Sequence, residues 1–565
     1  MLEKLKKLYN NRENNKKYFK WLINKSSPYK IEIFFIIFLN VIITLIGVFS
    51  SVVNKYVVDM ASSFSSNMYI SIALVITLSL ISLGLSAASS IFTTYFTEKF
   101  SFGFRTNIYE SLMASRWNLI KKYHSEDILT RLTSDINNIS DGIFSIAAFI
   151  ISLIVQLISA FIILMHYDSN LALFAIILGP FTVAISIFFG SKLKILQEMV
   201  QKSESKYRSF LQENISNINV IKAFSYENKS KEKLSKLRNE RLYWVMKKNK
   251  ITVIANFFIG FAFSFGYLSA FIFGAVRLSQ NAITYGTMTA FLSLVSQVQR
   301  PIVSLAGIIP KIISILASSG RIIEIDNLEK EENTLDLALK GKLGLKIKNL
   351  AFSYDKKEIM KGFNLIIKPG EIVAIVGESG VGKTTMIGLI LSFLKQDKGT
   401  IEFFDEYGNK AKASLNTRKV ISYIPQGNTL FSGSILDNLK IGKEDATFEE
   451  IEEALKNACA LEFVNSLNEG LNTIIGEQGY GLSEGQAQRI AIARALIKKS
   501  QFMILDEATS ALDINTELEI IKNIINLKDR PTCLVITHRK SILRYCNRTI
   551  IIKNKENFEK NLKIT

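Results

Sequence analysis

Six long apolar stretches, near Ile31–Val53, Tyr69–Tyr95, Ile143–Met165, Asn170–Phe189, Ile251–Val276 and Thr287–Ile308, alternate with polar connections through the first 320 residues. A helix rises about 1.5 Å per residue, so roughly 20 residues cross a hydrocarbon core of about 30 Å. Each stretch is long enough to span and too poor in charge to read as a buried helix of a soluble core. The pattern predicts six transmembrane helices. The connections at Asn54–Met68, His166–Ser169 and Arg277–Gly286 hold only Lys55 and Arg277 as Lys or Arg, whereas residues 1–30 and Ser191–Lys250 are thick with both. That asymmetry places the latter segments, residues 96–142 and both termini in the cytosol. Structureless loops as long as 96–142 and Ser191–Lys250 are rare, so both are expected to be helical extensions of the spans. Lys16–Pro28 is expected to form a short amphipathic helix at the inner surface, with Tyr18, Phe19, Trp21 and Leu22 facing lipid.

From about Arg321 the pattern changes. Glu324 to Glu332 is charged and unpatterned, as in a linker. From Leu343 onward, short β-rich runs (Leu343–Tyr354, Glu371–Val376, Ile421–Ile424, Phe502–Leu505 and Thr532–Ile536) alternate with helical ones. Such alternation argues for an α/β domain with a mainly parallel sheet. The fold class expected is a multidomain membrane protein, an all-α six-helix transmembrane domain followed by an α/β domain. The expected boundaries are residues 1–30 for the cytosolic N-terminus with its elbow helix, 31–320 for the six spans, 321–342 for the linker and 343–565 for the α/β domain.

Composition agrees with this division. The chain has 565 residues, more than single cores of about 250–300 residues accommodate. It is 48% hydrophobic yet 21% charged, which suits a membrane part joined to a soluble part. The net charge of +19 would raise the question of nucleic acid, but its distribution makes it a topology signal, and no nucleic-acid partner is expected. Cys459, Cys533 and Cys546 form no C-x-x-C pair, so neither zinc nor a disulfide framework is expected. The first 30 residues are polar and Lys-rich, so no cleaved leader is expected there.

The chemistry lies in the α/β part. The strand ending at Val376 runs into Gly377, Glu378, Ser379, Gly380, Val381, Gly382, Lys383, Thr384 and Thr385, a G-x-x-x-x-G-K-[ST] loop followed by a helical run over Met386–Leu394. Glycines let backbone N–H groups wrap phosphates, and the helix N-terminus adds its dipole. Lys383 is expected to reach the β- and γ-phosphates of ATP and Thr384 to ligate Mg²⁺. Phe502–Leu505 then delivers Asp506 and Glu507 at a strand's C-terminal end. Asp506 is placed to hold the Mg²⁺ and Glu507 to polarise an attacking water.

Leu482-Ser483-Glu484-Gly485-Gln486, running into Gln488-Arg489 and on to Arg494, resembles the signature motif of the ABC (ATP-binding cassette) proteins. Other landmarks of that family stand in its order: Tyr354 looks like the aromatic that stacks on adenine, and Gln426 like the Q-loop glutamine. Gly476-Glu477 looks like the loop that touches the membrane domain, Ser510–Asp513 like the D-loop, and His538 like the switch histidine. Six spans followed by one cassette is the layout of half-size ABC exporters of type IV fold, the lipid, multidrug and peptide branch. The resemblance implies an ATPase coupled to transport in a multi-pass bacterial cytoplasmic-membrane protein. Lys383, Gln426, Glu507 and His538 would be catalytic, and Thr384, Gln426 and Asp506 would hold Mg²⁺. ATP would be sandwiched between the phosphate loop of one chain and Ser483, Gly485 and Gln486 of a second, so the resemblance also implies a dimer, most simply of identical chains. Glu484 departs from the family, which most often has glycine there, and Ala487 stands where a basic residue is common. A carboxylate beside ATP would be repelled, so Glu484 is expected to point away.

The resemblance further implies coupling helices near Trp117–Tyr123 and Ile221–Tyr226. On the last span, Ser293, Gln297, Arg300, Ser304, Gly307 and Lys311 fall within about 80° of one another at roughly 100° per residue. This polar stripe with two cations is read as the substrate pathway, since an ionisable group at that depth is a functional residue by default. It suits a small amphipathic substrate with a negative group. Direction is not written in these motifs: a siderophore-type importer on the exporter fold, or one half of an obligate heterodimer, are the alternatives. Phe257, Phe258, Phe261, Phe263 and Phe265 point all round the fifth span, which reads as lipid contact, with close packing at Gly260, Ser264 and Gly266.

Overall fold

The computed structural model of the chain describes residues 2–63, 68–167, 169–331, 339–354, 357–378, 380–476, 479–553 and 556–560; side chains are described outside 2–12, 170–187, 191, 194, 298–307, 309–310, 553 and 556–560. It divides into two compact units, Met1–Leu112 with His124–Asn327, and Met113–Tyr123 with Leu328–Thr565.

The first unit is helical. An N-terminal helix α1 (Leu2–Ser26) is followed by α2 (Lys30–Ser62) and α3 (Met68–Met113). After the short α4 (Trp117–Ile120), which belongs to the second unit, come α5 (Ser125–Thr130), a five-residue π-turn (Arg131–Asp135), α6 (Ile136–Tyr167) and α7 (Ser169–Ser216). The short α8 (Ile218–Ala223) then leads to α9 (Glu227–Ser279) and α10 (Tyr285–Asp326). The six long helices each contain one of the predicted apolar stretches. At 32 to 53 residues they are far longer than a span needs, so their polar ends run beyond it. Four segments, in α2, α3, α6 and α9, meet the length and hydropathy of a membrane span among the described residues.

The outward faces carry large apolar side chains, as lipid requires. On α9, Phe257, Phe258, Phe261 and Phe265 are exposed, while Ala255, Ala262, Gly266, Ala270 and Gly274 are buried. The small-residue packing face therefore runs along that five-residue stripe; Gly266 lies on it, and Gly260 and Ser264 are exposed. Polar side chains join helices. Asn40 donates to Ser89 Oγ at 3.0 Å, and Gln297 donates to Ser51 Oγ at 2.7 Å. Asp59 accepts from the Gly286 amide at 2.8 Å and from Thr284 Oγ1 at 2.9 Å. Gly286 has to be glycine for this approach, because an added Cβ would collide with the Lys55 carbonyl oxygen and the Asp59 carboxylate.

Two expectations change here. Trp21 and Leu22 of α1 turn inward: Leu22 is buried, the Trp21 indole N–H donates to Asp326 at 3.4 Å, and its ring packs 5.6 Å from Phe104. Tyr18 lies against Gly320, and of the four aromatic and apolar residues expected to face lipid only Phe19 is exposed. A surface helix can satisfy its apolar side on a neighbouring helix as well as on lipid. Second, α10 continues through 321–326, which read as linker, because Arg321 and Glu324 are held. Arg321 pairs with Asp135, and Arg131 donates to Glu324 at 2.9 Å and to the Arg321 carbonyl at 2.6 Å. Charge without an apolar period reads as linker in sequence; here Arg321 and Glu324 each have a buried partner, Asp135 and Arg131.

The second unit holds two larger sheets. An antiparallel sheet has the order β2-β1-β4-β5, from β1 (Leu343–Tyr354), β2 (Lys357–Ile367), β4 (Lys398–Asp405) and β5 (Lys410–Lys412). The other has the order β12-β11-β3-β10-β9-β6, from β3 (Ile372–Gly377), β6 (Ile421–Ile424), β9 (Phe502–Asp506), β10 (Thr532–Ile536), β11 (Arg548–Lys553) and β12 (Glu556–Lys560). A two-stranded ladder pairs β7 (Gly433–Ser434) with β8 (Ile474–Ile475). In the six-stranded sheet all pairs are parallel except β11–β12. Its central strands β9 and β10 are buried along their whole length and apolar but for Asp506 and Thr532 at their ends, as suits parallel strands covered on both faces. The helices are α11 (Lys383–Ile390), α12 (Ile435–Lys440), α13 (Phe448–Asn457), α14 (Leu461–Ser466), α15 (Glu484–Ile497), α16 (Ile514–Ile525) and α17 (Lys540–Leu543).

Candidate functional site

Parallel register puts the ends of four strands side by side. Ile375 lies opposite Ile536, Ile536 opposite Asp506, and Leu505 opposite Ile424. The residues just past those ends, Glu378, Gly380–Lys383, Gln426, Glu507 and His538, therefore emerge at one edge, where open α/β sheets bind ligands.

The phosphate loop is built by its glycines. Gly380 and Gly382 have φ of 83° and 107°, a region closed to side chains at little cost only for glycine. Gly382 is the N-cap of α11, and an added Cβ there would come within 2.9 Å of Ile359 Cγ2. Lys383 begins the helix and folds back: its Nζ donates to the Gly377 carbonyl at 2.5 Å and lies 2.8 Å from His538 Nε2. Burial holds this ammonium below its usual range, against the pull of the Glu507 and Asp506 carboxylates. Such a group gains from an anion that replaces its carbonyl partners. Ser379 lies outside the described residues; Glu378 and Thr384 are exposed, and Val381 and Thr385 are half-buried.

Opposite this loop, Asp506 is 5% exposed. Burial, and then the neighbouring Glu507 carboxylate, push it up to about 6. Tyr423 Oη approaches it at 3.5 Å, and the same burial raises the phenol above its ordinary range. Glu507 has a φ of 49°, an uncommon conformation for a non-glycine residue, held by its amide donating to Ile536 O at 3.0 Å. That turn aims the carboxylate at two partners: Gln426 Nε2 donates to Oε2 at 2.8 Å, and His538 Nε2 lies 3.2 Å from Oε1. The single Nε2 of His538 can accept from Lys383 or donate to Glu507, not both. Lys383, Glu507, His538 and Gln426 thus form one contiguous polar chain.

Tyr354 is 48% exposed, its ring edge-on to Phe352 at 4.9 Å, which leaves a face for stacking. The Ser483–Gln486 turn is a capping box at the N-terminus of α15. The Gln486 amide donates to Ser483 Oγ at 3.3 Å and the Ser483 amide to Gln486 Oε1 at 2.9 Å. Glu484 is exposed and makes no ion pair among the described residues, so it points to solvent rather than onto a cation. Gly485 packs against the Ala511 carbonyl and the Leu512 side chain, and an added Cβ would sit 3.2 Å from the Ala511 carbonyl oxygen.

Three residues that the motif reading left without a role organise these pieces. Gln488, 3% exposed, accepts from the Ala511 amide at 3.1 Å and donates to Ser510 Oγ at 3.3 Å, tying α15 to the 510–513 loop. Arg539 donates to the Ser510 and Leu512 carbonyls at 2.7 and 2.9 Å and to Glu517 at 3.1 Å. Glu517, fully buried, also takes a hydrogen bond from Thr509 at 2.5 Å. Buried polar residues adjacent to motif residues were the available signal, but polarity gives no burial in sequence.

Of the stripe on α10, Ser293 and Gln297 spend their hydrogen bonds on α2: Ser293 Oγ lies 2.9 Å from Ser51 Oγ, and Gln297 also reaches the Gly47 carbonyl at 3.4 Å. Lys311 is exposed; the side chains of Arg300 and Ser304 lie outside those described. The first predicted coupling segment forms α4, with Trp117 stacked on Phe393 at 5.4 Å. The second lies at α8, starting three residues earlier than expected, because Asn217 precedes it as N-cap and Ser225, at φ 48°, ends the turn that follows. It leaves Ile218, Val220, Phe224 and Tyr226 exposed.

Comparison with known proteins agrees with this geometry. The ABC transporter transmembrane region matches residues 33–302, and the ABC transporter ATPase domain matches residues 360–510. A putative export ATP-binding/permease protein of Rickettsia conorii is 30% identical over 82% of this chain and 82% of its own length. An ATP-dependent lipid A-core flippase of Syntrophus aciditrophicus is 28% identical over 83% of this chain and 78% of its own. The structure of a bacterial Atm1-family ABC exporter with ATP bound shares the fold, with a TM-score of 0.80 over 94% of this chain and 95% of that one at 20% identity. The chain belongs to the ABC transporter family, as a half-size exporter that joins one helical transmembrane region to one ATPase domain.

Proposed function

We propose that this chain is one subunit of a homodimer that uses ATP hydrolysis to move an anionic amphiphile out across the cytoplasmic membrane by alternating access, with both termini in the cytosol. The observation that carries the catalytic part is the contiguous chain Gln426–Glu507–His538–Lys383 beside the glycine loop. A γ-phosphate in that loop takes over the Lys383 ammonium, which frees His538 Nε2 to donate elsewhere. Glu507, held by Gln426, then orients and polarises the attacking water. Thr384, Gln426 and Asp506 offer a hydroxyl, an amide carbonyl and a carboxylate, the hard oxygen set that suits Mg²⁺. That ion would neutralise charge on the β- and γ-phosphates. Tyr354 stacks on the adenine.

Dimerisation follows from incompleteness. The capping-box turn at Ser483–Gln486 presents backbone and hydroxyl donors outward, and the exposed apolar side chains of α8 need a partner surface. A second chain supplies both contacts, Ser483 and Gly485 closing on the first chain's ATP. In the membrane unit, Arg300, Ser304 and Lys311 remain the proposed pathway residues, while Ser293 and Gln297 chiefly hold α10 to α2. Two cations on that helix favour a substrate with a phosphate or carboxylate on an apolar body, and the Syntrophus relative is named as a lipid flippase.

Purified protein reconstituted alone in phospholipid vesicles tests this. Wild type is expected to hydrolyse ATP and Glu507→Gln to lose that activity while still binding ATP. No hydrolysis without a second, different chain would overturn the homodimer. Unchanged efflux of a fluorescent anionic phospholipid after Arg300→Ala would overturn the pathway assignment.

A further inference from the structure

The chain enters its second unit twice, at Met113–Tyr123 and again from Leu328, and the two entering segments pair with each other. The Arg116 amide donates to Glu329 O at 3.0 Å and the Glu331 amide to Ala114 O at 2.8 Å, flanking an antiparallel bridge between Ser115 and Lys330. The Arg116 guanidinium also meets the Glu329 carboxylate at 3.0 Å, and Ser115 is buried. The segment leading into α4 and the segment following α10 are thereby one two-stranded strap.

Glu331 carries the strap onto the cassette. Both of its carboxylate oxygens accept from Arg418, at 2.7 and 2.9 Å. The same guanidinium donates to the Leu391 and Ser392 carbonyls at 2.7 and 3.0 Å, the open carbonyl end of α11. It also lies 4.6 Å from the Phe393 ring, which stacks on Trp117 of α4, and Lys121 sits 4.9 Å from the Trp117 ring. Fork-to-fork pairing is directional, and only a planar guanidinium can make it while stacking on an aromatic ring. A positive charge at the C-terminal end of α11 is favoured by the helix dipole. The helix that begins with Lys383 at the phosphates therefore ends on an arginine that also grips the linker.

We propose that Glu331 and Arg418 are a positioning pair that makes the 328–331 linker a second path, beside Trp117, by which movement of the phosphate-loop helix reaches the membrane unit. The proposal rests on the reading above that this loop binds ATP.

The test uses full-length protein in phospholipid vesicles and two readouts: KM for ATP, and the change that ATP with vanadate produces in tryptic cleavage of the Lys- and Arg-rich segment 191–250. Glu331→Gln and Arg418→Lys are expected to leave KM within about twofold of wild type and to shrink the nucleotide-dependent change in cleavage by about fivefold. Glu331→Asp, which keeps the charge on a shorter arm, is expected to fall between. A wild-type response in both variants would overturn the pair's role. So would parallel loss of ATP affinity and response in all three, which would mark a purely structural clip. A wild-type protein whose cleavage ignores ATP would overturn the pump reading itself.

Discussion

Polar side chains serve opposite ends in the two units. In the membrane unit they are consumed in pairs: Asn40 with Ser89, Ser51 with Ser293 and Gln297, Asp59 with the start of α10, and Asp135 with Ser318 and Arg321. Each ties separate helical segments together, and within the spans apolar packing gains nothing over lipid. In the cassette, Lys383, Asp506, Glu507 and His538 converge instead of pairing off. Two carboxylates lie side by side there, a burial-depressed ammonium turns to carbonyls, and one imidazole nitrogen faces two competing groups. Polar groups that cancel one another hold a structure, whereas groups left in mutual conflict await a ligand that resolves it.

The largest effect expected from breaking this contrast is at Glu507. Replacement by Gln keeps the shape and the Gln426 contact but removes the base, so kcat for ATP should fall by about 10²–10⁴-fold with little change in KM. A phosphate-release assay on the reconstituted protein measures both. A fall in kcat below tenfold would mean that water is polarised by another group.

Next comes Arg539, whose loss would leave Glu517 buried with only Thr509 as partner. Breaking a fully buried pair costs about 3–5 kcal/mol. Arg539 is 33% exposed, so screening reduces the expectation to about 2 kcal/mol for Arg539→Ala. The cassette's denaturant midpoint should drop accordingly, and ATP hydrolysis should fall too, since Ser510 and Leu512 lose their restraint. By comparison, Gln297→Leu in the membrane unit should cost about 0.6 kcal/mol, because Ser51 and Ser293 still pair with each other. Basal hydrolysis is then expected within about twofold of wild type. A larger loss at Gln297 than at Arg539 would reverse the contrast.

Legibility in the sequence follows the same divide. The bounds of β1, β6 and β10 coincide with the β-rich runs read from sequence, because β6 and β10 are short, almost wholly buried runs and β1 sets polar residues between its buried apolar ones. The motif residues past their ends were legible because backbone geometry, not neighbouring side chains, brings them together. Pairings across distance were not. Nothing in a 3.6-residue period tells that Trp21 meets Asp326, or that Arg321 meets Asp135, and so the elbow face and the end of α10 differ from the sequence expectation. The α10 stripe shows the limit most plainly: period places Ser293 and Gln297 on one face, but only packing shows that the face belongs to α2.

The smallest expected effect is at the cassette surface, where Glu450 sharpens the distinction between a satisfied charge and a conflicted one. It sits in the first turn of α13 in a capping box with Thr447, and accepts from Lys443 at 2.7 Å and Lys499 at 2.8 Å. Those hydrogen bonds, Lys443 first, pull it from an ordinary 4.5 down to about 2. A carboxyl that is more acidic folded than unfolded adds stability that is complete above about 4.5 and lost as pH falls towards about 2. Glu450→Gln keeps a capping partner but not the charge. Its melting temperature should therefore lie slightly below wild type near neutrality, with the gap closing as pH falls through that window. Gln297→Leu, which involves no titrating group, should show a gap that ignores pH over the same range. If the Glu450 gap were equally flat, the two lysines would contribute nothing as charges, and the pairing would be geometry alone.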